Sequence, residues 1–190
     1  MNLSIYHNIL LNFIIDNKIF VTVFMTIIIV KFKYLSQTNS YLAALAHFIG
    51  TFFHELAHYI IAIITTFRIP TKISLFPKIE KINGKRTILL GYVDINKDHL
   101  NIFNSFLISM APLTLLYLAY LVSKYFFTFY IEWFEINIGT YLLYLFLITT
   151  LIVNSVPSSA DFIMARYKGS IYLYILLIIF AQYIYINLGA

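Results

Sequence analysis

Charged residues are scarce in this chain. They make up 11% of its 190 residues, against about 25% in a typical soluble domain. Hydrophobic residues reach 61% and the mean hydropathy is +0.85, which is more apolar surface than a soluble domain of this size can bury. The composition excludes an ordinary soluble domain and predicts a protein whose solvent is the lipid bilayer. Because no long polar linker interrupts the chain, we expect one membrane domain over residues 1–190.

Cysteine is absent. Its absence excludes disulfide bonds and every zinc site built on thiolates, such as those of zinc fingers. A zinc site in this chain must therefore use histidine and carboxylate ligands, which are the usual ligands of an open, catalytic site.

Acidic residues are few beside basic ones, 8 against 13, and the formal net charge is +5. The basic residues cluster between apolar stretches, so the preference of Lys and Arg for the cytoplasmic side of a membrane explains the excess, and nucleic acid is not expected as a partner. Segment 68–97 holds more than half of them, and placing it inside leaves only Lys31, Lys33 and Lys124 outside. We therefore expect a multi-pass protein of the cytoplasmic membrane.

Long apolar stretches predict about five transmembrane helices and an all-α polytopic membrane fold. Residues 1–15 are also apolar, but a polar interruption at 16–18 separates them from the first span, and we expect them at the interface or partly inserted. The predicted spans are 19–35, 41–67, 102–130, 138–153 and 171–188.

Segment 68–100 is polar and predicts a small membrane-associated β-hairpin on the cytoplasmic side. Asn83-Gly84 suits a tight type I′ turn, because both central residues of that turn need positive φ. Strands at 78–82 and 85–89 flank it, and Gly91-Tyr92-Val93 closes the segment.

The second span contains an H-E-x-x-H motif formed by His54, Glu55 and His58. Residues at i and i+4 share one face of a helix, so both imidazoles can reach one metal ion. Glu55 lies about 100° further around the helix and can take a proton from a water that zinc activates. Ionisable groups inside an apolar span are costly and indicate function by default. The competing interpretation is a polar cluster that joins neighbouring helices.

A third protein ligand is needed, and Asp161 is the best candidate. It ends the Pro-broken segment 154–161 after the fourth span, which runs parallel to the second span. To reach the depth of the motif, this segment must dip back or the next helix must begin within the membrane. The alternative role for Asp161 is a helix N-cap. Glu132 and Glu135 compete less well, because this topology places them on the opposite side.

Two further residues lie near the predicted centre. His47 shares the face of His54 two turns earlier and is a packing residue or a group on the substrate path. Asn154 can bind a substrate strand or a ligand carboxylate, and a helix C-cap is equally consistent.

Together these motifs resemble the site-2 protease family of intramembrane zinc metalloproteases. The resemblance covers residues 41–165: the motif helix, the hairpin ending in Gly91-Tyr92-Val93, Ala111-Pro112 in the next span, then Asn154, Pro157 and Asp161. The family usually has Leu-Asp-Gly around the ligand aspartate and Gly-Pro in place of Ala111-Pro112, so the chain resembles a minimal, divergent member.

The resemblance implies a three-helix catalytic core whose site opens toward the cytoplasm. According to this resemblance, zinc is bound by His54, His58 and Asp161, and Glu55 is the general base in hydrolysis of membrane-protein substrates. It also implies that the hairpin guides an unwound substrate strand, with Gly91 and Tyr92 near the substrate.

Three alternatives remain open at the level of the sequence. Another class of membrane zinc enzyme would take Glu as its third ligand. A membrane scaffold would keep a non-proteolytic zinc site to bind partners. A transporter would use intramembrane His and Asp in an ion pathway, although the spacing of the motif favours a hydrolase.

Overall fold

Helices dominate the computed structural model, which describes residues 3–82, 85–131 and 137–188. Short 3₁₀ turns lie at Lys97–His99, Ala111–Leu113 and Tyr167–Gly169. The helices are α1 (Leu3–Asp16), α2 (Lys18–Ser36), α3 (Ser40–Thr66), α4 (Asn104–Ser109), α5 (Thr114–Ile131), α6 (Ile138–Asn154), α7 (Ser159–Ala165) and α8 (Ser170–Leu188); the strands are β1 (Lys72–Ser74), β2 (Lys78–Ile82), β3 (Lys85–Leu89) and β4 (Tyr92–Asp94).

Three helical stretches of the described chain are long and apolar enough to cross a membrane: Lys18–Ser36, Ser40–Thr66 and Tyr167–Asn187. The pair α6 and α7 passes the same test together, with a bend of 50° between them. A helical protein with membrane-type helices is therefore confirmed. The count of five spans stays a prediction.

The predicted third span, 102–130, is divided rather than continuous. It consists of α4, a 3₁₀ turn that contains Pro112, and α5. Proline has no backbone N–H and cannot continue the hydrogen-bond ladder of the preceding turn. The break turns the carbonyl end of α4 toward α3, where it contacts the predicted metal centre.

The two predicted hairpin strands are confirmed. β2 pairs antiparallel with β3 over the predicted residues, from Lys78↔Leu89 to Ile82↔Lys85, and the turn at 83–84 lies outside the described residues. β1 and β4 form a second antiparallel pair, which the sequence did not predict. The two pairs follow each other along the segments 72–82 and 85–94, which are together called the ribbon.

The ribbon lies along α3 instead of staying at the end of that helix. Phe76 stacks on Phe48 and Phe52 of α3, with ring centroids 4.6 Å and 5.4 Å apart. Further along, the Ser40 hydroxyl donates to the Arg86 carbonyl at 3.3 Å, beside the first turn of α3. The hairpin thus points back toward the start of α3, whereas the sequence placed segment 68–100 wholly beyond the end of the second span.

The core around α6 fixes the position of the site. Ile14 of α1 is buried against α6, so the end of α1 packs on the helical bundle. On another side of α6, Leu151 meets the alanines Ala57 of α3 and Ala119 of α5. Small residues at such contacts let helices approach closely, and this contact holds α6 beside the motif helix.

Candidate metal centre

The two motif histidines lie side by side in the middle of α3. His54 and His58 are one helical turn apart, and their Nε2 atoms are 3.3 Å from each other. His58 is buried and His54 is partly buried. The i, i+4 spacing therefore brings both imidazoles to one point, as the sequence predicted.

Each imidazole is oriented by a hydrogen bond from its other ring nitrogen. His54 Nδ1 donates to the Asn154 carbonyl and His58 Nδ1 donates to the Ile108 carbonyl, both at 2.8 Å. A carbonyl oxygen can only accept, so each Nδ1 carries a proton, and in the neutral imidazole each Nε2 then presents a lone pair to the site. This is the usual arrangement of metal-binding histidines.

Both accepting carbonyls come from helix breaks caused by proline. Ile108 lies four residues before Pro112, which cannot supply the N–H that a continuing helix would offer. Asn154 is the last residue of α6, and Pro157 follows it. Carbonyls at helix ends lack an intrahelical partner, so they are free to accept from the two histidines.

Asp161 completes the group from α7. Its Oδ1 lies 3.1 Å from Nε2 of His58 and its Oδ2 lies 3.4 Å from Nε2 of His54. Its Oδ2 also accepts from the Ser158 backbone N–H at 2.6 Å, while the Ser158 hydroxyl accepts from the Asp161 N–H at 3.3 Å, which is a capping box. The N-cap role considered for Asp161 belongs to Ser158, and Asp161 is the third helical residue of the capping box.

The break between α6 and α7 lies at the depth of the motif. α6 ends at Asn154, whose backbone touches His54, and α7 begins at Ser159. The bend inside the α6–α7 pair therefore brings segment 154–161 beside the motif histidines, and the depth of this segment in the membrane stays a prediction. Among the described residues, His54, His58 and Asp161 form the one group of three potential metal ligands. One ligand atom from each lies within 4.8 Å of the others.

Glu55 faces a cavity of about 730 Å³ that also contains both histidines and Asp161. It is buried, with 8% of its surface exposed. Gly91 of the ribbon lies directly against it: a Cβ at that position would come 2.5 Å from Glu55 Cγ and 2.7 Å from Thr51 Cγ2. Only glycine lets the ribbon approach this closely. Tyr92 lines the same cavity.

Asn154 joins three helices at this site. Its side-chain oxygen accepts from Lys33 Nζ of α2 at 2.7 Å and its side-chain nitrogen donates to the Thr150 carbonyl at 2.6 Å. It also packs against Gly50 of α3, where any Cβ would overlap it. His47 lines the same cavity.

Sequence reasoning missed several of these residues. Lys33 was assigned only to the outer side of the membrane, and the Ile108 carbonyl and Ser158 were not singled out. Pro112, four residues after Ile108, was the available signal for a free carbonyl. The competing candidates Glu132 and Glu135 lie outside the described residues. Comparison with family models, curated proteins and solved structures finds no match to this chain.

Proposed function

We propose that this protein is a zinc-dependent intramembrane peptidase. The observation that carries the proposal is the convergence of two oriented imidazole Nε2 atoms and one carboxylate on a single point beside a buried glutamate. The two histidines lie on α3, a helix long and apolar enough to span a membrane, which supports a site within the bilayer.

The separations of the ligand atoms fit zinc. Four ligands placed tetrahedrally at about 2.0–2.1 Å from zinc lie about 3.3 Å from one another. The two Nε2 atoms are 3.3 Å apart, and each lies near a different oxygen of Asp161, His54 at 3.4 Å from Oδ2 and His58 at 3.1 Å from Oδ1. With both Nδ1 atoms protonated, the lone pairs of His54 and His58 face each other and the Asp161 carboxylate, and a cation at the centre relieves that repulsion. Three protein ligands leave the fourth position open, as in catalytic sites.

The remaining residues supply acid–base chemistry and alignment. Zinc bound there would polarise a peptide carbonyl and lower the pKa of a water molecule. Glu55 lies one residue from a ligand, on the cavity side, where its carboxylate can accept the proton of that water and pass it to the leaving amine. The hydrogen bonds to the carbonyls of Asn154 and Ile108 hold the orientation of the two imidazole rings.

The cavity and the ribbon support a peptide as the substrate. A transmembrane helix hides its carbonyls in hydrogen bonds, so it must unwind before hydrolysis. An extended segment added to an edge of the ribbon would gain backbone hydrogen bonds in exchange. Gly91, which brings the ribbon against Glu55, places such a segment next to the general base.

The decisive experiment measures zinc content and cleavage of a membrane-helix reporter in the same purified samples. We expect about one zinc per chain in the wild type. Asp161→Ala should lose both zinc and cleavage. Glu55→Gln should keep zinc and lose cleavage by at least about a hundredfold, because it removes only the proton acceptor. Asp94→Ala, which removes a ribbon carboxylate from outside the ligand group, is the matched control.

Each other outcome points to another function. Zinc retained by Asp161→Ala would place the third ligand elsewhere. Zinc without cleavage in the wild type would favour a scaffold with a structural metal. A wild type without metal would mean that the histidines and Asp161 form only a polar cluster or an ion pathway, and would overturn the proposal.

A further inference from the structure

Lys33 is a cation in the cavity that the proposed hydrolysis does not use. It lies on α2, one turn before the helix ends at Ser36. Its side chain is partly buried and its Nζ donates one hydrogen bond, to Asn154 Oδ1 at 2.7 Å. An ammonium group has three N–H donors, so two of them remain for another acceptor in the cavity.

The direction of this side chain is unusual for a membrane helix. A lysine near a helix end normally extends its ammonium toward the nearer interface. Lys33 instead reaches Asn154, which contacts His54 through its carbonyl and lies against Gly50. The ammonium is therefore held at the depth of the metal centre. A charge at that depth is costly and is usually kept for a function.

The charges of the cavity lack a partner for this cation. Among the described residues that line it, Lys33, Glu55 and Asp161 carry a formal charge. No carboxylate of the described chain lies within ion-pair distance of Lys33. A divalent metal ion at the proposed site would balance the two carboxylates and leave the ammonium in excess. The loaded cavity then favours a ligand that brings one negative charge.

We propose that Lys33 forms a subsite for a carboxylate of the peptide substrate. This inference rests on the proposed peptidase function. His47 lines the same cavity, and its ring N–H is a second donor for the carboxylate beside the Lys33 ammonium. The carboxylate is the C-terminal group of a peptide or the side chain of an Asp or Glu residue near the cleaved bond, and both provide the same two oxygens.

The test measures binding instead of turnover. Metal-loaded Glu55→Gln protein in detergent is titrated with a fluorescent peptide in three forms: a free C-terminal acid, a C-terminal amide, and an amide with one internal Asp. We expect the acid or the Asp form to bind at least about tenfold more tightly than the neutral amide, the size of one charge-assisted hydrogen bond. The form that gains identifies the source of the carboxylate.

Substitutions at Lys33 show whether this residue recognises the negative charge of the peptide. Lys33→Met and Lys33→Gln should remove the preference for the acid while the affinity for the neutral amide stays within about twofold, and Lys33→Arg should restore it. Gln keeps a donor for Asn154, so its result separates charge recognition from packing. Lys31→Met, an exposed lysine on the same helix, is the matched control and should change nothing. Zinc content checks that every variant keeps its fold.

The outcomes separate this inference from the peptidase proposal. Equal affinity of the Glu55→Gln protein with Lys33 intact for all three peptides would overturn the subsite, even if the active protein cleaves them. A Lys33-dependent preference in a protein that cleaves nothing would support the subsite and overturn the peptidase. A preference that survives Lys33→Met would assign the carboxylate to another residue and overturn the inference.

Discussion

At Gly91 the ribbon lies directly against Glu55, and there is no room for a Cβ atom at this position. The ribbon touches α3 at this residue, where a Cβ would come 2.6 Å from the Ser74 carbonyl as well as striking Glu55. Contacts of that length with backbone do not occur, so an added methyl group must move the ribbon or the general base. The position therefore links the β segment to Glu55, the proposed general base.

Gly91→Ala is expected to reduce peptide hydrolysis by about a hundredfold, because displacing a reacting group by about 1 Å has an effect of that size. Zinc content should stay at the wild-type value, since no ligand touches Gly91. Gly139→Ala, at a position where the nearest atom is 3.2 Å away on the side chain of Asn137, is the control. Full activity in Gly91→Ala would show that the ribbon does not position Glu55.

The break between α6 and α7 is the element that brings Asp161 to the two motif histidines. It ends one helix at the Asn154 carbonyl and begins the next with Asp161 in its first turn. A continuous helix would hydrogen-bond that carbonyl internally. Pro157 and the capping residue Ser158 stop the first helix and start the second. The same break therefore supplies the orienting carbonyl for His54 and the carboxylate ligand.

Ser158→Ala tests this element. It removes the hydroxyl that accepts from the Asp161 backbone N–H, and the loss of an N-cap costs about 1 kcal/mol of stability. We expect a lower melting temperature and a zinc affinity reduced by about fivefold, because Asp161 is less firmly placed.

Chelator competition and thermal unfolding, each with and without zinc, measure the two effects. Ser159→Ala changes the neighbouring exposed serine and should leave both values unchanged. Identical behaviour of the two variants would mean that the capping box does not hold the ligand.

For the whole molecule, the main question is how the ribbon lies relative to the membrane. α3 has 27 residues, enough to cross the bilayer at about 1.5 Å per residue. The ribbon leaves the end of α3 and returns to its first turn, where the Arg86 guanidinium lies 5.5 Å from the ring of Tyr41. Unpaired strand edges cannot face lipid, so this ribbon must be covered by protein, by water in a cleft or by an added strand.

Single-cysteine labelling tests this topology, and the absence of native cysteine makes the background clean. In sealed vesicles, an impermeant thiol reagent should label Arg86→Cys from the same face as Gln37→Cys, in the loop before α3. Arg68→Cys, just after α3, should label from the opposite face. Arg86→Cys labelled together with Arg68→Cys would instead keep the hairpin on the side predicted from the sequence, at the end of the span.

Local patterns in the sequence determined the apolar helices, the hairpin strands and the motif face. Predicted spans 19–35 and 41–67 agree within a residue with Lys18–Ser36 and Ser40–Thr66, and the strands 78–82 and 85–89 match their observed bounds. These features depend on hydropathy, turn chemistry and the i, i+4 spacing, all of which act between near neighbours. The proximity of Asp161 to the histidines was also predicted, because Asp161 ends a Pro-broken segment after a span that runs parallel to the motif span.

Only the tertiary structure decided which carbonyls orient the histidines, where the ribbon lies and what Lys33 contacts. The Lys33–Asn154 bond joins residues 121 positions apart, and the His58–Ile108 bond joins residues 50 apart. No local pattern encodes such pairs. They follow from how the helices pack, with small residues such as Gly50 and Ala57 allowing close approach and prolines freeing the carbonyls that the packing then brings to the site.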